Sequence, residues 1–150
     1  MKRPFIRILS LCLFLFLLIG SAGPAFAAMP TPDAEIQDSN YFSYKNISVI
    51  PAGSGKLNIT VNVRAKSIMT ELGATQICVY QKQSDGSYQE VHTYTRYNQP
   101  GMILTKQAFA DVNITYPGTA GKYYYVTAAC YCKNSAGSET AWVGSKAVKA

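Results

Sequence analysis

From Leu57 to Ala65 the chain alternates without a break: every odd residue is apolar, and Asn58, Thr60, Asn62 and Arg64 between them are polar. Successive side chains of an extended strand point to opposite faces, so this run predicts a strand with one dry and one wet face. The same reasoning places strands at Ile47 to Ile50, Thr75 to Lys82, Tyr88 to Thr95, Phe109 to Tyr116, Tyr123 to Lys133 and Thr140 to Val148. The segments between them carry turn chemistry: Pro51 to Gly55, Ser84 to Ser87, Asn98 to Gly101, Pro117 to Gly121 and Asn134 to Ser138. Asp85-Gly86 between two β-rich runs is a hairpin signal. Ser67 to Gly73 breaks the rhythm. A hydroxyl residue that can cap, then Met69 and Leu72 three apart, then a glycine, predict a helical turn inside a loop, with both apolar residues folded onto the core. Seven short strands without long helical periodicity predict an all-β domain, an antiparallel β-sandwich of immunoglobulin or fibronectin type III shape.

The amino-terminal pattern is different. Lys2, Arg3 and Arg7 precede an apolar run from Ile8 to Ile19, and Ala25-Phe26-Ala27 forms a small-x-small site. This predicts a secretory signal peptide over residues 1–27, since the run is shorter than the roughly 20 residues of a membrane-spanning helix. Residues 28–45, opening with a Pro-rich acidic stretch, are expected to be a flexible lead-in, and residues 46–150 the sandwich. The expected location is extracellular, with no membrane insertion once the leader is removed.

The leader also distorts the charge. The formal net charge is +6, from 14 basic and 8 acidic residues. Loss of Lys2, Arg3 and Arg7 leaves eleven basic against eight acidic residues, a mild +3. That favours anionic surfaces but supplies no dense basic patch for nucleic acid.

Candidate chemistry is sparse. Cys12 leaves with the leader, so three cysteines remain, Cys78, Cys130 and Cys132. Either all three are small core hydrophobes or, if their strands are neighbours, Cys78 bridges Cys130 or Cys132; the last two share a face and are poorly placed to bridge each other. Three cysteines and His92 do not make a recognisable zinc set, and neither a metal nor a cofactor is expected. A hydrolase would have to be built on His92, which is expected on an edge strand facing water; Gly-x-Ser-x-Gly does not occur, and the carboxylates form no identifiable couple. A non-enzyme is therefore expected.

Tyrosine is the compositional excess, with 11 copies. On the strand from Tyr123, the residues Tyr123, Tyr125, Thr127 and Tyr131 share one face, while Tyr124, Val126, Ala128, Cys130 and Cys132 share the other. If the second set is buried, Tyr123, Tyr125 and Tyr131 form an outward stripe that either stacks on sugar rings or packs across strands. The Asn-x-Ser/Thr triplets at Asn46, Asn58 and Asn113 each have isoleucine in the middle, as a half-buried strand produces by itself.

Two resemblances add to this. Pro117-Gly118-Thr119, Tyr123 to Cys130 and Asn134 to Ser138 resemble the sixth-strand region of fibronectin type III domains. The resemblance implies a tyrosine closing the sandwich corner, a role for Tyr123 or Tyr124, although the single tryptophan, Trp142, lies on the last strand and not in the early core. Met69 to Tyr80 and Asp85 to Val91 are similar to small secreted proteins of Gram-positive Firmicutes with no assigned function, over roughly Gly55 to Val148. This implies a bacterial source.

The reading that results is a secreted non-catalytic β-sandwich, a binding or structural module whose partner is a protein or glycan of the cell envelope or extracellular surroundings. The alternatives are a carbohydrate- or cell-wall-binding domain using the Tyr123, Tyr125 and Tyr131 face, and a secreted hydrolase centred on His92.

Overall fold

The alternation that begins at Leu57 does not end at Ala65. In the computed structural model, which describes residues 39–150, it continues as one strand of 27 residues, Lys56–Lys82. The elements in order are β1 (Phe42–Pro51), β2 (Lys56–Lys82), β3 (Tyr88–Thr95), β4 (Ile103–Pro117), β5 (Tyr123–Asn134), β6 (Gly137–Gly144) and β7 (Val148–Lys149). All pairings are antiparallel. The leader and residues 28–38 lie outside the described residues.

β2 organises the sheet. Its first half lies between β1 and β4, with Asn58 opposite both Ile50 and Thr115. Its second half lies between β3 and β5, with Cys78 opposite both Thr93 and Thr127. β6 extends the second half beyond β5, and β7 adds a two-residue edge at Tyr123 and Tyr124. The result is a curled antiparallel sheet, a half-barrel whose inner faces meet around one core.

The curl is made where the register slips. Against β4 the slip falls between Arg64 and Met69, and against β5 between Ala74 and Gln76. An unpaired residue moves the following side chains to the other face and increases twist, which lets a strand cross from one layer to another. The buried positions on β2 are Leu57, Ile59, Val61 and Val63, then Met69, then Leu72 and Ala74, then Ile77 and Val79, and the change from Ala74 to Ile77 falls at the slip against β5. The predicted helical turn at Ser67 to Gly73 is therefore corrected to extended strand. Met69 and Leu72 are core residues as expected, but they lie on one extended strand whose register with β4 runs unbroken from Met69 to Gly73. Gly73 has φ +150°, and a Cβ there would lie 2.1 Å from the Met102 carbonyl oxygen, so the close approach of β4 requires glycine.

The first half also shows why the three Asn-x-Ser/Thr triplets exist. Asn46, Asn58 and Asn113 are all exposed, and their isoleucines Ile47, Ile59 and Ile114 are buried. Across strands, Thr60 donates to Asn113 (2.8 Å), Asn62 to Asp111 (2.7 Å) and Thr115 to Asn58 (3.0 Å). The wet face is a polar ladder.

The lead-in expected over residues 28–45 is shorter than that. Phe42 is buried, and β1 begins with it. Ser39 Oγ accepts from the Phe42 N–H (2.7 Å) and donates to Glu139 (2.9 Å), fastening the start of β1 to β6. At the opposite end of the core, Tyr124 is fully buried; its hydroxyl accepts the Thr119 N–H (2.8 Å) and donates to Gln81 Oε1 (3.0 Å).

Candidate binding face

The four-stranded half turns one face to the core and one to solvent, and the register decides which residues share the outer face. Its rows run across β3, β2, β5 and β6: Glu90, Tyr80 and Tyr125; then Thr93, Cys78, Thr127 and Gly144; then Thr95, Gln76, Ala129 and Trp142; then Gly73, Tyr131 and Thr140. Tyr123 begins the face at the β7 edge.

Relief follows from side-chain size. Cys78, Thr127 and Ala129 are among the least exposed residues although they point outward, because larger groups stand on both sides. On one side Tyr80 and Tyr125 stack face to face (4.6 Å between centroids, 5° between planes) and Tyr88 meets Tyr125 edge-on at 4.8 Å. Burial pushes the Tyr80 phenol up to about 12, with the adjacent Cys78 thiol as the second cause. On the other side stand Trp142, 53% exposed, and Tyr131, over whose ring the Arg96 guanidinium sits at 5.5 Å. Arg96 is held there by Glu71 (2.7 Å), which keeps the Glu71 carboxyl below its usual range. Tyr123, 47% exposed, has the Lys149 ammonium 5.9 Å from its ring centroid. The face thus has a floor of small side chains, a packed tyrosine trio along one wall with Tyr125 buried between half-buried Tyr80 and Tyr88, and two open rings.

Tyr123, Tyr125 and Tyr131 do share this face, but they are not an open stripe. Tyr125 is only 5% exposed, because its ring is covered by Tyr80 and Tyr88. The open rings are Tyr123 and Trp142. Trp142 stands opposite Ala129, six residues along β5 from Tyr123, so the two backbone positions are about 20 Å apart along the strand. Trp142 was readable from its own segment: Thr140 and Trp142 alternate with Ala141 and Val143, and the second pair is the more buried.

The cysteines divide between faces. Cys130 and Cys132 belong to the core, whereas Cys78 lies outward opposite Thr127, and all three are free. Of the two readings, three unbridged thiols hold, with Cys78 outside the core, and the alternative of a bridge from Cys78 to Cys130 or Cys132 is corrected: β5 is regular between Thr127 and Cys132, so odd and even positions point to opposite sides of the sheet. Cys78 Sγ instead accepts from Gln76 Nε2 (3.1 Å) and Thr93 Oγ1 (3.6 Å). Burial pushes the Cys130 thiol up to about 12 and the Cys132 thiol up to about 11, so both are protonated and poor nucleophiles near neutral pH.

His92 is exposed on β3, which pairs only with β2, as expected for an edge strand. Its ring packs on Tyr94 (4.4 Å) and approaches Tyr116 (6.0 Å), joining the Tyr116–Tyr124 contact in an aromatic seam across the open side of the half-barrel. Among the described residues no group of three or more His, Cys, Asp or Glu is placed to hold a metal ion. What the outer face offers chemically is ring stacking, hydroxyl and amide hydrogen bonds, and two cations. Comparison of the chain with protein-family models, with curated proteins and with solved structures returns no match.

Proposed function

We propose that the chain is an exported, non-catalytic binding module that holds a glycan of the cell envelope or extracellular surroundings on the outer face of β3, β2, β5 and β6. The observation that carries this reading is the pair of open rings, Tyr123 and Trp142, standing beside a floor formed by Cys78, Thr127 and Ala129. An aromatic ring left open beside hydrogen-bonding groups suits the apolar face and hydroxyl rim of a sugar. Lys149 beside Tyr123 offers a cation at the open ring, whereas the charge of Arg96 is met by Glu71. Export rests on the basic, apolar and small-residue pattern of residues 1–27.

The sandwich is read as immunoglobulin or fibronectin type III-like. Two features support it: β1, the front of β2 and β4 face β3, the back of β2, β5 and β6, and the Tyr124 hydroxyl closes onto the backbone of Thr119 five residues upstream. The test of function is sedimentation of tagged protein with insoluble cell-wall glycan. A Tyr123→Ser/Trp142→Ser double variant should stay in the supernatant while unfolding as cooperatively as the parent. Equal sedimentation of parent and variant would refute the assignment to this face.

A further inference from the structure

A second site lies between the sheet edges, where the half-barrel does not close. Among the described residues β1 pairs with β2 on one edge only, and β6 pairs only with β5. Between these two free edges is a cleft of about 410 Å³ lined by Asn46, Ile47, Ser48 and Val49 on one wall and Gly144, Ser145, Lys146 and Val148 on the other. That volume falls within the range of ligand clefts.

The backbone groups facing the cleft follow from the ladder. Ala52 N–H donates to Lys56 at the β1–β2 turn, so the hydrogen-bonded pairs are Ala52–Lys56, Ile50–Asn58, Ser48–Thr60 and Asn46–Asn62. The alternate residues, Lys45, Ile47 and Val49, direct their N–H and C=O away from β2. Pro51, which has no N–H to give, occupies the next such position. The far wall behaves in the same way: the Ser145 N–H donates to Val126 O, which leaves the backbone of Gly144 turned outward. That wall is fixed, because Ser145 Oγ accepts the Val126 N–H (2.9 Å) and donates to Lys146 O (2.9 Å).

We infer that this cleft binds an extended peptide strand carrying acidic side chains, which pairs with β1 through the backbone of Ile47 and Val49 and sets a carboxylate against Lys146. Pairing would satisfy strand-edge groups that otherwise depend on water, as in other cases of strand addition. The sign of the charge follows from the walls, which include Lys146 and no carboxylate.

The probe is a blocked nine-residue peptide alternating valine with aspartate, titrated into isotopically labelled protein and compared with the same peptide carrying lysine for aspartate. The aspartate peptide should shift the amides of Ile47, Val49 and Gly144 and slow hydrogen exchange at Ile47 and Val49. Val49→Pro removes a donor to the ligand without touching a β1–β2 hydrogen bond and should weaken binding about tenfold. Lys146→Glu should weaken it about two- to fivefold, and this exposed substitution carries the test if the proline variant does not fold. The Tyr123→Ser/Trp142→Ser variant should bind the peptide like the parent, which separates this site from the glycan face. Equal binding of the lysine peptide, unchanged binding by both cleft variants, or Ile47 and Val49 amides protected by self-association of peptide-free protein would each overturn the inference.

Discussion

Tyr124→Phe removes one oxygen atom from the core and tests whether that oxygen fastens the β4–β5 connection. The ring is fully buried and contacts Tyr116 at 5.7 Å between centroids, so phenylalanine keeps the packing and opens no cavity. What disappears is the acceptor for the Thr119 N–H and the donor to Gln81 Oε1, at 2.8 and 3.0 Å. A hydrogen bond contributes about 0.5–1.5 kcal/mol net, and both former partners lie near water, which limits any further penalty for leaving them unpaired. The expected loss is about 1–3 kcal/mol. For a domain of this size each kcal/mol moves Tm by about 4–6 °C, so thermal unfolding should shift down by about 5–15 °C. Tyr94→Phe is the control, because no partner for its hydroxyl occurs among the described residues, and it should cost under about 0.5 kcal/mol. Urea unfolding should give the same ranking with unchanged m-values. A Tyr124→Phe midpoint indistinguishable from that of Tyr94→Phe would refute the reasoning, and the polar contacts of Tyr124 would then be incidental to a purely apolar role.

Val61→Ala, at a fully buried position, should destabilise by about 1–3 kcal/mol in chemical denaturation, and Thr60→Ala beside it on the wet face by under about half of one. Gly73→Ala should cost about 3 kcal/mol or more, or prevent folding, because its methyl group would collide with the Met102 carbonyl; soluble yield and the melting curve report this. Protein lacking residues 1–27, denatured without reductant, should show three free thiols, and a count of one with peptide mapping that joins Cys78 to Cys130 or Cys132 would contradict the separation of Cys78 from the other two. Alkaline stability follows from Cys130, whose thiol is raised from 9.0 to about 12. The folded state holds this proton more tightly than the unfolded chain, so its contribution is complete below about pH 9 and is lost as pH climbs toward 12; unfolding free energy measured across that window should fall in the parent and fall less in Cys130→Ala.

Where the turn chemistry is strong, the sequence was sufficient. β3 runs from Tyr88 to Thr95 as the alternation predicts, and the Asp85-Gly86 turn precedes it with Asp85 Oδ1 accepting the Ser87 N–H. The failures share one cause, which is that register is not a local property. Met69 and Leu72 are both buried where β2 passes from its β1 and β4 partners to β3 and β5, in a stretch that β4 begins to share with β5 at Glu71, and no neighbouring residue announces that passage. Read locally, the spacing is helical. Tyr125 loses its exposure to Tyr80 and Tyr88, which are 45 and 37 residues away in the chain and meet it only through strand pairing. The choice between free thiols and a bridge was likewise open in the sequence, because the parity that turns Cys78 away from Cys130 is fixed by pairing across β2 and β5. Of the candidate site, Tyr123 kept its open position, and Trp142 could have been added from the alternation of its own segment.

The continuity of β2 has a consequence for how the molecule comes apart. A strand that hydrogen-bonds to β1, β3, β4 and β5 belongs to both halves of the sheet, so neither half can open while the other keeps its full ladder. Two sheets joined by loops could melt in sequence; these two share a spine. Loss of structure should therefore be all-or-none, and the central amides of β2 should exchange with solvent only through complete unfolding, while β7 and the tip of β3 exchange through local fraying. The same feature makes assembly slow. The spine is not completed until β4 and β5 have arrived from far along the chain, so folding must close long loops before most of its hydrogen bonds exist. During synthesis the growing chain would expose an unpaired β2 until its later partners emerge, a state prone to pairing with other chains.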